Sequence, residues 1–187
     1  MIKLYLQRFN QYLKNPYVKF NNEYFYWMFI NKLIVAKSYM SIKTAIKDKR
    51  KLLNLYKELF FIIGSNNKYI IDCGANIGYR AAIFSNVTSN QIYYFETYSI
   101  NYQLLKRNFE CNKYFKLFNY RLSDHEKTVD MGYPINREIN NIDFGAVSYI
   151  NKIDKNNKLI AIEKINLINF KNFHKRKMHN KDIVSLR

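Results

Sequence analysis

Glycine, proline and cysteine are all scarce in this chain. Its 187 residues include 5 glycines, 2 prolines and 2 cysteines, whereas glycine averages roughly 7% and proline roughly 5% of protein residues. This composition excludes collagen-like chains and flexible Gly/Pro-rich chains. Cys73 and Cys111 form no CxxC pair, so the sequence offers neither a disulfide framework nor a cysteine-based metal site. We therefore assign no metal-binding residue and expect, by default, an intracellular protein.

Long apolar runs are missing as well. The most apolar early stretch, residues 24–30, is followed by Asn31 and Lys32 and is far shorter than the roughly 20 apolar residues that span a bilayer. It also begins too late in the chain for a secretory signal. We expect no transmembrane segment and interpret this stretch as a packed helix.

Apolar side chains are nevertheless plentiful, with 48% hydrophobic and 17% aromatic residues. Such a content excludes an intrinsically disordered chain, which lacks the apolar area needed to offset the entropy of ordering. The length of 187 residues suits one ordinary domain with an appendage, or one incomplete large domain. The heavy use of Lys, Asn, Ile, Tyr and Phe is typical of an AT-rich genome.

Acidic residues are outnumbered: 31 Lys and Arg stand against 14 Asp and Glu, which gives a net charge of +17. An excess of this size indicates a polyanionic partner such as nucleic acid. Basic and acidic side chains nearly balance between residues 66 and 150, however, so the excess lies at the two ends. Nucleic acid is therefore a partner that we do not favour, and the dense clusters at residues 49–51 and 175–177 are interpreted as solvated faces.

The hydrophobic pattern divides the chain near residue 65. Apolar residues at helical spacing over residues 52–63, followed by Gly64, predict a helix that ends there. Residues 1–65 are therefore predicted to form an N-terminal helical segment. After it the pattern alternates, and we predict strands at residues 69–73, 92–96 and 117–122 and helices at residues 78–85 and 100–112.

This alternation predicts an α/β fold, with a doubly wound parallel sheet and crossover helices over residues 66–187. The later part of the chain is less regular. Residues 131–151 predict turns or a hairpin, residues 159–162 predict a strand, and residues 171–181 read as a basic connection without a clear period.

Two of the scarce glycines fall in one turn, Asp72-Cys73-Gly74-Ala75-Asn76-Ile77-Gly78, between a predicted strand and a predicted helix. Such a turn needs residues without Cβ, either for positive φ or for close approach of a ligand to the backbone. Glu96 ends the next predicted strand about 20 residues later, the spacing at which a carboxylate binds ribose hydroxyls in nucleotide-binding sheets. The pair predicts a nucleotide site.

The same residues resemble motif I of the FkbM-type S-adenosylmethionine-dependent methyltransferases, a class I methyltransferase family. The motif reads as a hydrophobic strand followed by Asp-x-Gly-Ala-Asn-x-Gly, which matches residues 69–78. Phe95-Glu96 is similar to the start of the family's Phe-Glu-Pro, residues 101–112 follow the pattern of its next helix, and Leu122-Ser123-Asp124 resembles its Leu-Ser-Asp.

The resemblance implies a Rossmann-like class I methyltransferase sheet that binds S-adenosylmethionine. It implies that Asp72 and the turn residues Gly74, Ala75, Asn76 and Gly78 hold the methionyl end of the cofactor. It further implies that Glu96 accepts hydrogen bonds from both ribose hydroxyls and that Ser123 and Asp124 border the adenine. The acceptor it implies is a small molecule or glycan, with methylation at a sugar or glycoconjugate hydroxyl.

The acceptor side of the family pattern is incomplete in this sequence. Residues 182–187 resemble the start of the family's fourth strand, with Ser185 and Arg187 where that family has Lys and Asp, and the acidic segment that should follow is missing. We therefore expect a sheet of about four strands, truncated at its C-terminal side. No catalytic base is assigned, because His125, His174 and His179 are candidates by residue type alone.

Two alternatives remain at this stage. The chain could be an inactive remnant that keeps only the cofactor-binding half of the fold. It could also be a nucleic-acid-binding protein or RNA methyltransferase that uses its basic flanks, in which case its affinity should fall steeply with salt.

Overall fold

A computed structural model describes residues 17–20, 23–29, 32–36, 69–84, 90–136, 141–142, 148–149, 160–178 and 183–186. The described helices are α1 (Tyr79–Phe84), α2 (Ser99–Phe109) and α3 (Phe170–Lys177). The described strands are β1 (Tyr17–Phe20), β2 (Glu23–Phe29), β3 (Lys32–Ala36), β4 (Tyr69–Cys73), β5 (Ile92–Phe95), β6 (Phe115–Phe118), β7 (Arg121–Ser123), β8 (Lys127–Asn136), β9 (Asn141–Ile142), β10 (Ser148–Tyr149), β11 (Ile160–Asn169) and β12 (Ile183–Leu186). The fold is mixed α/β, with small parallel and mixed sheets.

Four strands form a parallel sheet in the order β12-β4-β5-β6. The middle strands β4 and β5 are apolar and buried along nearly their whole length, as expected for strands covered on both faces. The predicted strands at residues 69–73 and 92–96 and the helices after them are confirmed, as is the parallel fourth strand predicted near the end of the sequence.

One face of the parallel sheet is covered by α3. Phe173 lies with its ring 5.2 Å from that of Phe95 and 5.3 Å from that of Phe118, measured between centroids. The side chain of Asn169 caps the helix by accepting a hydrogen bond from the Asn172 amide at 3.0 Å. The interpretation of residues 171–181 as an irregular connection was therefore wrong over most of its length, because a capped turn and one buried aromatic side chain suffice to form this helix.

The opposite face of the sheet is covered by α1 and α2. Helix α1 buries Ala81, Ala82, Ile83 and Phe84. From the sheet, the ring of Phe115 lies 4.9 Å from that of Tyr94 and 5.7 Å from that of Phe109 on α2, between centroids. Helix α1 follows the turn after β4 and α2 follows the end of β5, so the carboxyl ends of both strands lead directly into the helices on this face.

A second, mixed sheet has the order β10-β8-β11-β7, with β9 paired to β8. Its long strands β8 and β11 are antiparallel, whereas β11 and β7 are parallel. The hairpin expected around residues 131–151 corresponds to the end of β8 with β9 and β10, and the strand predicted at 159–162 begins the longer β11.

The single strand predicted at residues 117–122 was wrong. The chain leaves the parallel sheet after Phe118, and Arg121 begins β7 in the mixed sheet. Asn119 lies at this break and donates from Nδ2 to the backbone oxygens of Glu96 and Thr97, at 2.9 and 3.0 Å. Where β6 ends, hydrogen bonds from this side-chain amide therefore replace the backbone hydrogen bonds of strand pairing.

The N-terminal segment contains an antiparallel sheet in the order β1-β2-β3. The helix expected over residues 24–30 was wrong, because β2 runs through this stretch, and its run of aromatic residues favours a strand over a helix. The helix predicted over residues 52–63 lies outside the described residues. In the described part of the chain, no helix is long and apolar enough to span a membrane.

Candidate functional site

The strand order of the parallel sheet reverses beside β4. The chain runs from β4 to β5 to β6 in one direction, and β12 then returns to pair with the other side of β4. Open α/β sheets bind ligands where the strand order reverses, at the carboxyl ends of the strands. The carboxyl end of β4 leads directly into the turn at residues 74–78, so this turn lies at the reversal point.

The turn has an unusual backbone, with positive φ at three alternate positions: Gly74 at 80°, Asn76 at 54° and Gly78 at 98°. Its start is fastened to the neighbouring strand, because the amides of Gly74 and Ala75 both donate to the carbonyl oxygen of Phe95, at 2.8 and 3.1 Å. This conformation strongly favours glycine and tolerates asparagine. The glycines and the asparagine of this turn are therefore explained by the backbone conformation at their positions.

The two glycines of the turn serve different purposes. A Cβ at Gly78 would lie 2.3 Å from Cε2 of Phe109, so this glycine allows α2 to pack against the turn. A Cβ at Gly74 would meet no atom within 4 Å. Space for a ligand is therefore open at Gly74, while the space beside Gly78 is filled by the protein itself.

Glu96 links the turn to the end of β5. Its Oε2 accepts a hydrogen bond from the Asn76 amide at 2.7 Å, and its Oε1 accepts one from the Tyr98 amide at 2.9 Å. The residue is 6% exposed. Burial raises the pKa of the Glu96 carboxyl, and the backbone hydrogen bonds oppose that rise. A buried carboxyl thus lies beside the turn, as the sequence predicted.

Asp72 lies beneath the turn as part of an ion pair. It is 0% exposed, and its Oδ1 accepts a hydrogen bond from Nη1 of Arg80 at 2.7 Å. Its Oδ2 is buried and has no hydrogen-bond partner in the described structure. Burial raises the pKa of Asp72 to about 6, although the positive charge of Arg80 acts in the opposite direction.

Ser123 and Asp124 lie apart from this arrangement in the topology. Ser123 is the last residue of β7 in the mixed sheet and Asp124 follows it, so neither belongs to the four-stranded parallel sheet. The Ser123 hydroxyl donates to Oδ1 of Asp124 at 3.0 Å, and Nδ1 of His125 also contacts that oxygen. The hydrogen bond from Ser123 is the first cause of a lowered pKa at the exposed Asp124. The structure does not bring these two residues to the end of a strand in the sheet that holds the glycine turn.

Two residues near the turn were missed by the sequence reasoning. Asn119 occupies the end of the third parallel strand and binds the backbone beside Glu96. Arg80 is the partner of Asp72. The sequence shows it only as a basic residue two positions after Gly78, in the first turn of the helix that follows the glycine turn.

The two histidines that the structure describes do not form a catalytic group with the turn. His125 contacts the exposed Asp124, His174 lies on α3 with its ring 6.0 Å from that of Phe170, and His179 lies outside the described residues. Among the described residues, no three His, Cys, Asp or Glu side chains cluster as a metal site would require.

Comparison with known proteins adds no assignment: no family model, no curated protein and no solved structure matches this chain. The geometry of the site therefore carries the functional argument. The site combines an open glycine turn at the reversal of strand order with a buried carboxyl at the next strand end and an Asp-Arg pair beneath the turn.

Proposed function

We propose that the turn at residues 74–78 binds S-adenosylmethionine and that the chain belongs to the FkbM type of methyltransferases, with a Rossmann-like cofactor site. The observation that carries this proposal is the hydrogen bond from the Asn76 amide to Glu96. It fixes a glycine turn against a buried carboxyl at the carboxyl ends of two adjacent parallel strands, which is the arrangement that nucleotide-binding sheets use.

The free capacity of Glu96 fits a ribose. A carboxylate has about four lone-pair sites. The amides of Asn76 and Tyr98 use one on each oxygen, and the backbone of Thr97 also interacts with the carboxyl. The capacity that is left can accept hydrogen bonds from the hydroxyls of a ribose ring. Because the carboxylate is charged, these bonds would be stronger than those between neutral groups.

The open side of Gly74 fits the chain that links the ribose to the amino-acid end. No atom lies within 4 Å of the position that a Cβ would take there, so a ligand could pass close to the backbone. Asp72 is fully buried beneath this point and supports the turn from below.

S-adenosylmethionine supplies a methyl group on a sulfonium, and its transfer is an in-line displacement in which positioning contributes much of the rate. The role of the described residues in this proposal is to hold and orient the cofactor. The proposed acceptor is a hydroxyl of a sugar or glycoconjugate, and no base is assigned to take its proton.

Calorimetric titration with S-adenosylhomocysteine tests the cofactor site. We expect saturable binding to the natural chain and an affinity about tenfold to a hundredfold lower in Glu96→Gln, since charge-assisted hydrogen bonds are replaced by weaker ones. Glu110→Gln is the matched control, because Glu110 is an exposed glutamate on the surface after α2, and its affinity should equal that of the natural chain. Absence of binding to the natural chain would reject the proposal.

A second measurement separates an enzyme from the inactive remnant. Transfer of a labelled methyl group from S-adenosylmethionine to carbohydrate acceptors is expected of the enzyme. Binding of S-adenosylhomocysteine without any transfer across a panel of such acceptors would instead support the cofactor-binding remnant.

A further inference from the structure

The Asp72-Arg80 pair divides unequally between the interior and the surface. The side chain of Asp72 is 0% exposed, whereas that of Arg80 is 29% exposed. The guanidinium of Arg80 therefore stays accessible from outside the pair, whereas the carboxyl of Asp72 does not. The family resemblance implies a ligand contact for the acidic partner, but the burial of the pair favours the basic one.

With respect to the described residues, Arg80 also keeps most of its hydrogen-bonding capacity. A guanidinium has five N–H donors in a planar fork that suits carboxylates. Among the described residues, Asp72 is its one hydrogen-bond partner, through a single bond from Nη1 to Oδ1. A pair that served structure alone would gain more from two parallel bonds to both carboxyl oxygens, yet Oδ2 of Asp72 has no partner in the described structure.

The position of Arg80 relates these donors to the turn. Arg80 is in the first turn of α1, two residues after Gly78, and its Nη1 reaches back to a strand residue that lies two positions before Gly74. The guanidinium is thus held at the base of the same turn whose open side is at Gly74. Asp72 fixes its direction without using up its donors.

We propose that Arg80 binds the carboxylate of the amino-acid end of S-adenosylmethionine, with Asp72 as the positioning residue that holds the guanidinium. This inference rests on the proposed function, because it names the residue that recognises one end of that cofactor. Cation recognition of a carboxylate would explain why an arginine is kept beside a buried aspartate at the turn.

The test compares two ligands on two variants. S-adenosylhomocysteine carries the amino-acid end, whereas 5′-methylthioadenosine has the same nucleoside without it. In Arg80→Lys and Arg80→Gln, we expect the affinity for S-adenosylhomocysteine to fall about tenfold to a hundredfold, as for the loss of charge-assisted hydrogen bonds. The affinity for 5′-methylthioadenosine should stay within about twofold. Arg107→Gln, at an exposed arginine of α2, is the matched control.

The outcomes distinguish failure of the proposed role of Arg80 from failure of the proposed function. If the natural chain fails to bind S-adenosylhomocysteine, the proposed function fails. If the natural chain binds it and both Arg80 variants bind it equally well, or if both ligands weaken alike, the role of Arg80 is refuted while the function stands.

A ligand series on the natural chain keeps the inference testable if the variants do not fold. We expect decarboxylated S-adenosylhomocysteine, which retains the amine, to bind at least about tenfold more weakly than S-adenosylhomocysteine. Equal affinities for these two ligands would overturn the inference, because no carboxylate would then be recognised.

Discussion

The buried carboxyl of Asp72 makes the stability of this protein depend on pH. Its folded-state pKa is about 6, against 3.8 for the ordinary group, so between these values the folded chain keeps a proton that the unfolded chain releases. The stabilising contribution is therefore complete below about pH 4 and is lost as the pH rises through 6. We predict a loss of roughly 3 kcal/mol in unfolding free energy from this group across that window, measured by urea unfolding at a series of pH values.

Asp72→Asn provides the comparison, because an amide cannot release a proton. The variant should lose the part of the pH dependence that belongs to Asp72, while Asp130→Asn, at an exposed aspartate, should retain it. The rise in the pKa of buried Glu96 acts in the same direction, so the difference between Asp72→Asn and the natural chain is the quantity to compare. Identical pH profiles for these two proteins would contradict the prediction.

At the scale of single residues, the sequence identified part of the site and missed another part. Gly74 and Gly78 could be found because a glycine-poor chain concentrates its glycines where positive φ or close packing needs them. Glu96 could be found from its spacing after that turn. Arg80 could not be found in this way. Its proposed role depends on where its long side chain points and on the burial of Asp72, neither of which a residue spacing determines.

At the scale of elements, the mixed sheet supports α2 through Glu163 on β11. Helix α2 has no side-chain cap of its own at Tyr98 and no acidic residue in its first turn. Both carboxylate oxygens of Glu163 lie near the Ser99 amide, at 3.2 and 3.4 Å. The carboxylate of this residue on another element therefore stabilises the N-terminus of α2. It accepts a hydrogen bond, and its negative charge interacts favourably with the positive end of the helix dipole.

We predict that Glu163→Ala lowers the unfolding free energy by about 1 kcal/mol, the usual cost of losing a helix cap. Hydrogen exchange should become faster at the amides of the first turn of α2 before it changes elsewhere in the parallel sheet. Lys164→Ala is the matched control, since Lys164 is the next residue on β11 and is exposed. Equal stability of the Glu163 and Lys164 variants would argue against this capping role.

The elements that the sequence predicted are those whose pattern is set by local burial. Strand β5 is a continuous apolar run, β4 is apolar except for Asp72, and α2 has apolar residues at helical spacing. The errors came where distant contacts decide. Helix α3 depends on Phe173, which contacts aromatic rings of β5 and β6. The end of β6 depends on hydrogen bonds from Asn119 to the backbone oxygens of Glu96 and Thr97, the two residues after β5.

At the scale of the whole molecule, the net charge of +17 and the candidate site lie in different places. Helix α3 carries exposed Lys171, Lys175, Arg176 and Lys177, and none of these forms an ion pair in the described part of the chain. Its C-terminal end lies near the amino end of β5, because the Tyr93 hydroxyl contacts both Gln91 and the carbonyl oxygen of Lys177. The glycine turn and Glu96 lie at the opposite, carboxyl end of these strands.

Charge reversal on α3 should therefore leave the cofactor site unchanged. The sheet separates the two ends by about four strand residues, roughly 13 Å, whereas exposed charges are screened over about 8 Å at physiological salt. We predict that Lys175→Glu with Arg176→Glu keeps the affinity for S-adenosylhomocysteine within about twofold at that salt concentration, measured by calorimetry. Any binding of RNA or DNA should weaken in the same variant and fall steeply with salt. A tenfold loss of S-adenosylhomocysteine affinity would contradict this prediction. It would mean that the positive charges of α3 contribute to ligand binding at the glycine turn.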